Sequence, residues 1–99
     1  MTDSVQESTG NVFIDLGFDP GEAAILEMRA RLMSDLRDHI ETGGMTQTQA
    51  AAQLGIAQSR VSDLVRGKWE KFSLEMLIML EARAGRQVRL ELIPKPVSP

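Results

Sequence analysis

The stretch Thr46–Gly67, T-Q-T-Q-A-A-A-Q-L-G-I-A-Q-S-R-V-S-D-L-V-R-G, decides the fold. Thr46 suits an N-cap, and Gln49, three residues on, completes a capping box. The spacing predicts a short helix over Gln47–Leu54 whose inner face is Ala50, Ala51 and Leu54, with small residues that let a second helix approach. Gly55 ends it, because a left-handed backbone position is nearly free only for glycine. Ile56 plugs the turn. A second helix is predicted over Gln58–Arg66, with Val61, Leu64 and Val65 inward at helical spacing, and Gly67 closes it. Two short helices joined by a tight glycine turn make a helix-turn-helix, the unit that lays its second helix in the major groove of DNA.

The outward face of the second helix carries Gln58, Ser59, Arg60, Ser62 and Asp63, none of them apolar. A merely solvated face usually carries Glu and Lys. Short hydrogen-bonding groups with one Arg suit base edges and phosphates. The candidate base readers are Gln58, Ser59, Ser62 and Asp63. Asp63 can accept from cytosine, but it would repel a nearby phosphate, and pairing with Arg66 at i+3 is its alternative. The candidate phosphate contacts are Thr46, Gln47, Arg60, Arg66 and Lys68, helped by the helix N-terminus at Gln47. The plain alternative is a helical hairpin with a polar surface. The joint spacing of Thr-Gln, Ala-Ala, Leu-Gly-Ile and Ser-Arg-Val-Ser argues against it.

Thr46–Lys68 resembles the repressor-like (XRE) helix-turn-helix domains of phage and plasmid regulators. The wider chain, from about Gly10 to Pro96, resembles the HigA-type antitoxin family. There a short segment like G-N-V-F-I-D-L-G-F at Gly10–Phe18 precedes a long helix and the DNA-binding unit, and a stretch like Phe72-Ser73-Leu74-Glu75 follows. The resemblance implies a dimeric repressor that binds a double-stranded operator, neutralises a small basic ribonuclease toxin and represses its own operon in the cytoplasm. Stand-alone phage- or plasmid-type regulators share the domain, and a protein-interaction module on the same fold is the rival from another class.

Composition bounds these readings. The 99 residues support one domain, able to bury roughly 60–65% of its unfolded surface. Aromatics are 4%, so Leu, Ile, Met and Val must do the packing. There is no cysteine, which removes disulfides, thiol nucleophiles and thiolate metal sites and fits a reducing compartment. No apolar run approaches the roughly 20 residues of a membrane span, and residues 1–9 lack the pattern of a signal peptide. His39 is the one histidine, without an evident ligand set, and reads as a surface or boundary residue. With no nucleophile elbow, phosphate loop or metal spacing, an enzyme, a cofactor and a metal are not expected.

The net charge of −3 is unevenly placed. Residues 1–42 hold nine acids and three bases, whereas residues 43–99 hold eight bases and five acids. The basic side is the helix-turn-helix side, and the acidic half would face away from DNA and toward a basic partner.

The expected architecture is all-α, a repressor-like helix-turn-helix bundle of four to five helices with a short C-terminal β-strand paired across a dimer. Residues 1–9 read as disordered, 10–18 as an apolar arm, 19–86 as the DNA-binding domain, 87–94 as the strand and 95–99 as a mobile tail. The arm packs on its own domain or docks on a partner; Val12, Phe13 and Phe18 are the candidate toxin contacts. Whether it is a strand, a turn of helix or irregular stays open. Asp19-Pro20-Gly21-Glu22 starts a helix predicted to reach Thr42, about 35 Å long, with a break near Arg29–Arg31 left open. Ile25, Met28, Leu32, Leu36 and Ile40 form its apolar stripe. Trp69 covers the core edge or touches DNA backbone.

Ser73 caps a last helix to Ala84, apolar on nearly every face over Met76–Leu80 and so expected to be buried on a second side by another subunit. Val88, Leu90 and Leu92 alternate with charged Arg89 and Glu91, a strand spacing. Such a strand needs a mate, either Val12–Leu16 of its own chain or a second copy; a two-fold axis at Leu90 would set Arg89 against Glu91 and Val88 against Leu92 of the second chain. The candidate dimer residues are therefore Val88, Leu90, Leu92, Met76 and Met79.

Overall fold

Local hydrogen bonds written in the sequence set most helix ends. A computed structural model describes residues 11–94, which form α1 (Val12–Asp15), α2 (Pro20–Thr42), α3 (Gln47–Leu54), α4 (Gln58–Val65), a 3-10 turn (Trp69–Lys71) and α5 (Leu74–Arg83). Asp19 accepts from the amides of Gly21 and Glu22 at 3.0 and 3.3 Å, with Pro20 at the first helical position. The Thr46 hydroxyl oxygen accepts from the Gln49 amide at 3.1 Å, and the Gln49 side chain accepts from the Thr46 amide at 2.9 Å. That is the reciprocal capping box the sequence predicts. The Ser73 hydroxyl oxygen accepts from the Met76 amide at 3.1 Å. Residues 1–9 and 95–99, read above as disordered and mobile, lie outside the described residues.

The core is shared among all four longer helices. Met33, Leu36 and Ile40 come from α2, Ala50 and Leu54 from α3, and Val61 and Leu64 from α4. Phe72, Leu77, Leu80 and Ala84 complete it from the C-terminal side. Ala50 is fully buried where a longer side chain would push α3 outward. The 23-residue α2 runs unbroken through Arg29–Arg31. Its C-terminal half supplies the core residues; in its N-terminal half Ala23 is buried, whereas Ile25 and Met28 are 43% and 45% exposed.

The apolar arm is helical. The Asn11 side chain accepts from the Phe13 amide at 2.9 Å, capping α1, and donates to the Ala23 carbonyl at 3.0 Å, tying the arm to α2. Phe13 then stacks edge-on against both Phe18 and Trp69, at ring separations of 5.9 and 6.5 Å. The arm thus packs on its own domain, while Val12 and Phe18 stay exposed.

The expected C-terminal strand is not formed: residues 87–94 are neither helix nor strand. A strand needs a mate for its backbone groups, and the nearest candidate, Val12–Leu16, is committed to α1 and its cap. Leu90, Leu92 and Ile93 are 80%, 87% and 77% exposed. The apolar run of α5 also divides differently from expectation. Leu77 and Leu80 enter the core, Met76 packs partly against it, and Ile78 and Met79 face outward in the single chain.

Glu81 is the exception in the core, 2% exposed and with no hydrogen-bond partner for either carboxylate oxygen. Burial, reinforced by the neighbouring Asp35 carboxylate, raises its pKa from 4.5 to about 7, against the opposing pull of Arg86. A protonated Glu81 can donate to Asp35, whereas two bare carboxylates cannot bond each other. Asp35 in turn pairs with Arg86, just past the end of α5.

Candidate nucleic-acid interface

The turn between α3 and α4 is fixed from two directions. Gly55 has φ +69°, the left-handed region that glycine enters without a Cβ penalty. The Arg83 guanidinium reaches over from α5 and donates to the Leu54 carbonyl at 2.9 Å, satisfying a helix-end acceptor. Ile56 then packs half-buried against the core. α4 follows with Val61 and Leu64 buried. At about 100° per residue, that fixes Ser59, Ser62, Asp63 and Arg66 on the outer side, with Gln58 on one flank and Arg60 on the other.

Gln58 and Ser59 are exposed at the start of α4, and Ser62 and Asp63 are half-buried. Ala57, at the N-cap of α4, offers no side-chain acceptor to the first-turn amides. The Thr48 hydroxyl lies 3.4 Å from Gln58 Oε1, joining the first turns of α3 and α4. Thr48 was missed in the sequence because its neighbour is ten residues away on a different helix.

The basic residues separate into two groups. Arg66 is exposed just past α4, and Lys71 is exposed in the loop that follows. Lys68 is folded back by a Schellman turn, its amide bonding the Asp63 carbonyl at 3.0 Å while the Gly67 amide bonds Leu64. Its ammonium stands 3.8 Å from the Asp63 carboxylate. Asp63 therefore pairs with Lys68 rather than with Arg66.

Arg60 is turned inward. Its Cζ lies 4.6 Å above the Phe72 ring, and Nη2 donates to the Lys71 carbonyl at 3.1 Å. Its Nε is buried without a partner. The guanidinium expected to meet phosphate is instead committed to the loop beside α4. Thr46 uses its hydroxyl oxygen in the cap, leaving its O–H free to donate outward. Gln47 is half-buried at the first position of α3.

Elsewhere, His39 Nε2 donates to Gln53 Oε1 at 2.9 Å, linking α2 to α3. Among the described residues no group of three or more His, Cys, Asp or Glu could hold a metal ion, and no helix is long and apolar enough to cross a membrane.

Comparison with known proteins agrees with this geometry. A family described as a helix-turn-helix domain matches residues 12–93. A solved chain provisionally described as an XRE family transcriptional regulator is 35% identical, with a TM-score of 0.72, covering 79% of this chain and 88% of that one. Comparison with curated proteins gave no match.

Proposed function

The chain belongs to the helix-turn-helix domain family, and from that premise we propose that it is a sequence-specific DNA-binding transcriptional repressor, working as a homodimer and as the antitoxin of a toxin–antitoxin pair. The observation that carries the DNA reading is the capped α3–Gly55–α4 unit with a wholly polar outer face. α4 enters the major groove. Gln58, Ser59, Ser62 and Asp63 meet base edges, and Thr46, Gln47, Arg66 and Lys68 meet phosphates. Half-sites then lie about 34 Å apart, or a multiple of that. The likeness to an XRE family regulator supports the transcriptional role.

The dimer reading rests on the outward Ile78 and Met79 of α5 and on the exposed Val88, Leu90 and Leu92. Paired antiparallel about Leu90, two copies would match Arg89 with Glu91 and cover the apolar residues on one face. The antitoxin reading rests on the acidic N-terminal half and its exposed apolar side: Val12, Phe18, Ile25 and Met28, beside the half-buried Phe13. A small basic ribonuclease toxin is the partner this surface suits.

The test is a mobility-shift assay on the DNA upstream of the chain's own gene, with and without the neighbouring gene's product. Gln58→Ala should relax preference at one base pair and cost about 1–3 kcal/mol there. Equal losses on operator and random DNA would sink the base-reading role. Phe13→Ser with Phe18→Ser should abolish toxin neutralisation in cells at normal abundance; full neutralisation would place that contact elsewhere. A chain that shifts the DNA but captures no neighbouring toxin is a stand-alone regulator.

A further inference from the structure

Two elements flank α4, one on each side. On the Gln58 flank lies the first turn of α3, through the Thr48–Gln58 contact. On the Arg60 flank lies the loop from Lys68 to Phe72, held by the stack of Arg60 on Phe72 and its bond to the Lys71 carbonyl. A major groove is about 12 Å wide and bounded by two phosphate backbones. A helix lying in it therefore has one phosphate ridge at each side. The start of α3 faces one ridge, and the loop is placed to face the other.

The loop's chemistry suits that place. Lys68 and Lys71 are its cations, and Lys71 is exposed and forms no ion pair among the described residues. Glu70 is its one acid. On a 3-10 turn successive side chains diverge by about 120°, so Glu70 and Lys71 do not share a face. Phe72 is 1% exposed and roots the loop in the core. Arg60 is suited to hold it, because a planar guanidinium can stack on an aromatic face and donate in its own plane at once, which an ammonium cannot.

The geometry points to the Lys68–Lys71 loop as a second phosphate-binding element, with Lys71 as a DNA contact and Arg60 as the residue that positions the loop rather than a contact itself. This rests on the reading that α4 enters a major groove.

The experiment measures the salt dependence of binding to a duplex selected from a random pool by the native protein, and to a generic duplex. Each phosphate contact contributes about 0.9 to the slope of log K against log salt. Lys71→Ala should lower the slope by about that amount on both duplexes. Arg60→Ala should lower it by about the same amount, since Lys71 loses its place while Lys68 keeps its Schellman turn. Lys71→Ala should then add nothing in the Arg60→Ala background. Arg60→Lys keeps the charge yet should behave like Arg60→Ala.

An unchanged slope for Lys71→Ala overturns the inference. So does a native slope for Arg60→Lys combined with additive losses for Arg60→Ala and Lys71→Ala, which would make Arg60 itself the phosphate contact. Circular dichroism checks folding; if Arg60→Ala is unfolded, the Lys71→Ala and Arg60→Lys results decide. A native chain with no salt-dependent affinity for either duplex overturns the major-groove reading and this inference with it, whereas normal native binding with an unaltered Lys71→Ala slope removes the loop alone.

Discussion

Glu81→Gln should stabilise the protein at neutral and alkaline pH. Glu81 is 2% exposed with neither carboxylate oxygen bonded, and its pKa rises from 4.5 to about 7 in the folded chain. The unfolded chain releases this proton near pH 4.5 and the folded chain near pH 7, so between those values the unfolded state holds fewer protons. Stability from this group is therefore fullest below about pH 4.5, falls as pH rises through the window, and is flat above about pH 7. A shift from 4.5 to about 7, at about 1.4 kcal/mol per unit, corresponds to about 3 kcal/mol. Glutamine keeps the shape without the charge and can donate to Asp35. Its amide still needs partners in the core, so the gain at pH 8 should be about 1–3 kcal/mol. Urea titrations of both proteins at pH 5 and pH 8 measure it, with the variant's advantage large at pH 8 and mostly gone at pH 5. An advantage of the same size at both pH values, or one that grows toward acid, would refute the buried-carboxylate reasoning.

Three further expectations follow from other elements. Thr46→Ala removes the hydroxyl acceptor of the Gln49 amide, leaving only the bond from the Thr46 amide to the Gln49 side chain, and should cost about 1 kcal/mol in a urea titration; an unmoved midpoint would mean the cap contributes nothing. Gly55→Ala should cost about 1–2 kcal/mol through the positive φ. The neighbouring Arg83 Nη1, 3.3 Å from the added Cβ, is a flexible tip that can yield, so a much larger loss would mean the Arg83–Leu54 bond breaks as well. Leu90→Lys places two like charges at the proposed dimer axis and should give monomers by sedimentation, whereas a fully dimeric variant would put the interface elsewhere.

What was legible in the sequence was what depends on neighbours three or four residues apart. Asp19 with Pro20, Thr46 with Gln49, Gly55 and Ser73 each fix a helix end through bonds that close within one turn, and each stands where expected. The inward set of α3 and α4 followed from period alone. Contacts across long separations were not legible. Arg60 stands eleven residues from Lys71, and nothing local says that it turns inward. Glu81 occupies the core face of α5 with Leu77, Leu80 and Ala84, and a charged residue there is not announced by anything local. The alternation over 87–93 was real, but a strand is a relation between two segments, and Asn11 had already drawn the arm into a helix.

The buried side chains of α3 and α4 are enclosed from both ends of the chain, by Met33, Leu36 and Ile40 before them and by Phe72, Leu77 and Leu80 after. The hairpin that reads DNA is thus a keystone, with no interior of its own once either abutment is removed. A single proteolytic cut that frees α2 or α5 would collapse the whole reader at once. On the proposed DNA reading, operator occupancy would then follow the number of intact molecules.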